Sequence, residues 1–62
     1  MNWELYEVWA VDVDGHETLI ETTKSLKEAR QLAEVNLDED NVECVIYKED
    51  ELGDLVEVER LD

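Results

Sequence analysis

Carboxylates are the side chains best placed to do chemistry in this sequence. Nineteen Asp and Glu stand against five Lys and Arg in 62 residues, a formal net charge of −14 at pH 7. Carboxylates coordinate hard cations, serve as general acids and bases, or present fixed negative charge to a basic partner. Asp12-Val13-Asp14-Gly15 echoes part of a calcium loop. Such a loop closes on a Glu at its twelfth position, and counting from Asp12 that position is Thr23. The pattern fails there. Zinc has only His16 and Cys44 as soft ligands. Acid–base catalysis needs a concave site that pushes two pKa values apart, and one sheet with one helix offers little concavity. No metal, no cofactor and no enzymatic activity are expected.

The elements that position these carboxylates are legible in the spacing. Trp3 to Asp12 is aromatic and β-branched and predicts a strand. Asp14-Gly15 marks a turn, and His16 to Thr22 predicts the returning strand. A two-residue turn at Asp14-Gly15 would pair Val13 with His16; a type I turn with a bulge at a left-handed Gly15 would pair Asp12 with His16, and the second is preferred. It would put Tyr6, Val8, Ala10, Ile20 and the Thr18 and Thr22 methyls on one face. Glu7, Glu17 and Glu21 would then share the other.

Ser25 with Glu28 predicts a capped helix start. Leu26, Ala29, Leu32, Ala33, Asn36 and Leu37 follow one helical face, with an end near residues 37–39. Val42 to Lys48 predicts a third strand with Val42, Cys44 and Ile46 inward. Leu55 to Leu61 predicts a fourth with Val56 and Val58 inward.

The fold class is therefore α+β, a ββαββ chain forming a single domain over residues 1–62. The helix returns along the sheet, so the third strand can pair antiparallel with the first. Order 2-1-3-4 follows, with Glu-rich strands at the edges, where charge resists aggregation. One helix covers one face.

This topology gathers Asp12, Asp14, Glu17, Asp38, Glu39, Asp40 and Glu43 at one end of the sheet. Glu59 and Asp62 are expected nearby. Glu49, Asp50 and Glu51 occupy the opposite end with Asp54, tempered by Lys24, Lys27 and Lys48. The run at Asp38 to Asp40 follows a helix C-terminus, where each acid costs about 0.3–1 kcal/mol at low salt. On that expectation, stability alone would not select it. The uncovered face would show Trp9, Val11, Leu19, Val45 and Tyr47, joined by Trp3 and Leu5. Trp and Tyr are common interface anchors.

No apolar run is long enough for a membrane helix, no secretory leader is apparent, and a cytoplasmic setting fits. Direct binding of nucleic acid is disfavoured, because phosphate contacts need positive charge. In size, charge and compactness over the whole chain, the sequence resembles small acidic phage-encoded inhibitors. These include anti-CRISPR proteins and DNA-mimic anti-restriction proteins. The residues carrying the resemblance are Asp12, Asp14, Glu17, Asp38, Glu39, Asp40, Glu43, Glu49, Asp50 and Glu51. It implies a basic nucleic-acid-binding partner in a bacterial host cell: a guide-loaded nuclease, a restriction enzyme or a repair glycosylase. The alternative is a non-enzymatic interaction module that dimerises through the aromatic face.

Overall fold

The alternation of apolar and polar side chains builds four strands, and one capped amphipathic segment builds a helix. The computed structural model describes residues 5–62. The strands are β1 (Tyr6–Asp12), β2 (Glu17–Thr23), β3 (Asn41–Glu49) and β4 (Leu55–Leu61), with α1 (Leu26–Asn36) between β2 and β3. They form one antiparallel sheet in the order β2-β1-β3-β4. This is the α+β, ββαββ arrangement that the spacing predicts. Trp3 lies outside the described residues. Among the described residues, no helix is long and apolar enough to cross a membrane.

The helix starts where its sequence says it should. Ser25 is extended, and its Oγ accepts the Glu28 backbone N–H at 3.4 Å. That satisfies one of the donors a helix N-terminus leaves open. Ala29 and Ala33 are fully buried against the sheet, so the helix backbone approaches it closely. Val8, Ala10, Cys44 and Ile46 meet them from β1 and β3. Tyr6, Ile20, Leu26, Leu32, Leu37 and Leu61 close the margin of this core. Burying a side chain the size of Ile46 or Val8 stabilises by about 1.5–3 kcal/mol.

Each ladder carries one irregularity, and each breaks the two-residue alternation. Val8 faces Glu21 and Trp9 faces Leu19, leaving Ile20 as the extra residue. Val11 faces Glu43 and Asp12 faces Asn41, leaving Val42 over. Ile46 faces Glu59 and Tyr47 faces Glu57, leaving Val58 over. A bulge reverses which face later residues occupy.

Five residues depart from their expected placement: Glu21, Thr22, Val42, Val56 and Val58. Glu21 moves to the helix side, opposite Val8. Thr22 turns to the open face opposite Glu7, and Thr23 takes the buried place instead. Thr18 keeps the helix side, opposite Ala10, but is exposed. Val42, expected inward, is 47% exposed at its bulge. Val56 and Val58 are also outside the core, at 51% and 40% exposure. The helix packs over β1, β2 and β3 and leaves β4 largely uncovered.

Candidate functional site: an acidic end and an open aromatic face

The acidic end is built by two turns, each held by backbone hydrogen bonds. At the first hairpin, Asp12 N–H donates to the His16 carbonyl and Gly15 N–H to the Asp12 carbonyl, both at 3.0 Å. Gly15 has φ +86°, the left-handed conformation the Asp14-Gly15 pair predicts. Asp12 Oδ1 accepts the backbone N–H groups of Asp14 and His16, both at 2.9 Å. The His16 N–H is the main cause holding the Asp12 carboxyl below its ordinary value. The Asp14 and Gly15 N–H groups and the His16 side chain add to it.

The run at Asp38 behaves differently from the expectation. The helix ends at Asn36, and Leu37 is already extended with ψ 126°. Asp38, Glu39 and Asp40 therefore lie beyond the cap, and helix-terminus repulsion fades within the last turn. Asp38 has a structural task there. Its Oδ1 accepts the N–H groups of Asp40 at 2.8 Å and Asn41 at 2.7 Å. The turn favours a side-chain acceptor at position 38, and no described side-chain hydrogen bond gives Glu39 or Asp40 such a role.

The register then brings the acids together. Asp12 pairs with Asn41, the residue after the Asp38 turn. Glu17 and Glu43 flank Val11 in one cross-strand row on the open face. Asp14, Glu17, Glu39 and Asp40 are exposed at this end, and Glu43 is half-buried. Glu59 is drawn away to the helix side, where it bonds Arg30 at 2.8 Å. The opposite end carries Glu49, Asp50 and Glu51. Asp50 repeats the role of Asp12, its Oδ1 accepting the N–H groups of Leu52 and Asp54.

The sheet face away from the helix forms a second surface. Its middle row reads Leu19, Trp9, Val45, Arg60 across the four strands. The next row reads Thr22, Glu7, Tyr47, Glu57. Trp9 and Tyr47 meet edge to face, with ring centroids 6.5 Å apart and planes at 87°. Trp9 Nε1 donates to Glu7 Oε1 at 2.9 Å. Arg60 bridges two carboxylates, donating to Glu43 and, at 2.6 Å, to Glu57. The Glu57 hydrogen bond is the main cause raising the Arg60 pKa, and the Glu43 charge adds to it. Burial first, then the Glu17 charge, pushes the Tyr47 hydroxyl up.

Of the residues expected on this face, Val45 is the exception in exposure. It points there, but at 1% exposure it is floor rather than surface. Trp9, Val11 and Tyr47 are half-buried, and Leu19 is exposed. The bridging role of Arg60 is not legible in the sequence. Its signal would have been the register, which a one-residue bulge at Val58 conceals.

Three further features bear on chemistry. Ligand atoms of Asp12, Asp14 and His16 lie within 4.8 Å of one another, a spacing that could hold a cation. The Asp12 Oδ1 is already occupied by two backbone donors. Cys44 is fully buried, and burial chiefly, with the Asp38 and Glu43 charges, pushes its thiol up. That suppresses the reactive thiolate. An open groove of about 620 Å³ also runs between β2 and α1, lined by residues that include Glu21, Thr23, Leu32 and Val35. In comparisons with protein-family models, curated proteins and solved structures, nothing matches this chain.

Proposed function

We infer that this protein is a small acidic, non-enzymatic inhibitor that binds a basic nucleic-acid-binding protein in place of its nucleic acid. A CRISPR or restriction nuclease is the kind of partner meant, in the cytoplasm of a bacterial host. The observation that carries this reading is the convergence of acids from three chain segments at one end. Asp12, Asp14 and Glu17 come from the first hairpin. Glu39 and Asp40 come from the turn after α1, and Glu43 from β3. Only some of these carboxylates have a task inside the fold, so the rest stand as a fixed charge pattern. Such a pattern attracts a basic groove over a Debye length and speeds encounter.

The test is capture from a bacterial lysate at low salt, elution by salt, and competition. The eluted protein should bind nucleic acid, and added inhibitor should displace that nucleic acid. A captured protein whose nucleic-acid binding is untouched would sink the reading. So would complexes indifferent to ionic strength, because phosphate-like contacts weaken steeply with salt.

The open face supports a second reading, an interaction module that dimerises through Trp9, Leu19 and Tyr47. Sedimentation at increasing protein concentration separates the two. A dimer whose stability grows with salt belongs to the module, since salt screens repulsion between two copies of this acidic chain.

A further inference from the structure

We propose that the open face of the sheet is the docking surface itself, and that its occupant is an arginine-bearing apolar surface of the basic partner. The proposal rests on the inhibitor reading and adds which part of the molecule makes the central contact.

The composition of the face carries it. Leu19, Trp9 and Tyr47 form an aromatic and aliphatic strip over the buried Val45 floor. Around that strip stand Glu17 and Glu43 in one row and Glu7 and Glu57 in another. Four carboxylates thus face one guanidinium, that of Arg60. No described element covers the strip; α1 packs on the other side of the sheet. An apolar centre inside a polar rim is the usual anatomy of a protein interface, with Trp and Tyr as its anchors.

Charge decides between occupants. A second copy would bring the same excess of carboxylates onto this face, and like charges brought together disfavour pairing. A surface offering arginine meets both needs. Its guanidinium groups match the carboxylate rim, and their planes stack on Trp9 and Tyr47. Arg60 already shows the rim accepting this geometry, held between Glu43 and Glu57. The acidic end at Asp14, Glu39 and Asp40 then serves encounter, and the aromatic face holds the complex. Rim and remote charges act mainly on association, and the packed centre acts on dissociation.

The experiment uses the full chain and two synthetic peptides, one alternating arginine with leucine and one alternating arginine with serine. Backbone amide shifts are followed by NMR at low salt. The expected result is that the arginine–leucine peptide binds more tightly and perturbs Trp9, Val11, Leu19, Val45 and Tyr47. Leu19→Gln, an exposed and charge-neutral change, should keep the folded spectrum and weaken that peptide by about tenfold.

Shifts confined to residues 38–40 and 50–54, with equal affinity for both peptides, would overturn the docking proposal and leave the basic-partner reading standing. Unchanged affinity in Leu19→Gln would overturn it as well. Failure of both peptides to bind would overturn both readings. A dimer in sedimentation that loses affinity on Leu19→Gln would assign the face to a second copy instead.

Discussion

Asp12 and Asp50 hold the same place in two copies of one turn. Each carboxylate accepts the backbone N–H groups two and four residues ahead. Each backbone N–H donates to the carbonyl four residues ahead, His16 or Asp54. Each turn has a glycine three residues on, with φ +86° at Gly15 and +84° at Gly53. Two of the nineteen acids are thus hairpin formers at opposite ends of the sheet.

Asp12 should make stability depend on acid in a definite direction. Its folded pKa lies below the ordinary 3.8, because backbone N–H groups stabilise the charged form. A depressed carboxyl contributes stability that is full above the unfolded value and lost as pH falls through the folded one. Asp12→Asn keeps a carbonyl acceptor but no charge. Urea unfolding should show it less stable than wild type near neutrality, with the gap closing as pH drops below 3.8. A gap that stays constant into acid would contradict this account.

The two glycines should respond to substitution through backbone conformation alone. A Cβ built at Gly15 meets nothing within 4 Å, and at Gly53 it meets only Glu49 Oε1 at 3.6 Å. Gly→Ala at either site should therefore cost about 1–2 kcal/mol, the penalty of the left-handed region. Gly→Asn should cost visibly less, since Asn tolerates that region. Chemical denaturation of the four variants checks the ranking. Equal losses for Ala and Asn would mean that something other than φ is being measured.

The helix–sheet distance depends on two small side chains. Ala33→Leu inserts volume where exposure is 0%, and overpacking of this kind costs about 1–3 kcal/mol. Val35→Leu adds a single methylene on the exposed side of the same helix and should change stability by no more than about 0.5 kcal/mol. Thermal and urea midpoints of the pair test whether close approach is required. Similar behaviour of the two variants would refute it.

The three acids after the helix should separate in mutagenesis. Asp38→Ala leaves the Asp40 and Asn41 N–H groups without their acceptor and should cost about 1 kcal/mol. Glu39→Lys and Asp40→Lys relieve crowding of like charge, and each should be neutral or slightly stabilising, within about 0.5 kcal/mol. In partner binding the order reverses. Glu39→Lys and Asp40→Lys should slow association and flatten its salt dependence. Association rates measured against ionic strength provide the check, and unchanged rates in both reversals would remove the acidic end from the encounter step.

Most of the architecture was decided by local chemistry. Period-two alternation set strand identity, Ser25 and Glu28 set the helix start, and Asp14-Gly15 set the first turn. The short connections and the returning helix left order 2-1-3-4 as the economical antiparallel sheet. Those signals are local, so a single chain carries them in full.

Tertiary structure alone decided which side many residues face and what each acid is for. The extra residues at Ile20, Val42 and Val58 shift the register, and alternation cannot show an inserted residue that is itself apolar and β-branched. Val56 and Val58 read as core, yet they sit on a strand the helix leaves largely uncovered. Val45 reads as surface, yet the side chains around it on the open face bury it. Arg60 reads as one cation among many acids until pairing with β3 sets it between Glu43 and Glu57. The net charge was evident from composition. Its division into turn-forming, ion-paired and outward-facing carboxylates depended on hydrogen bonds and register across the sheet.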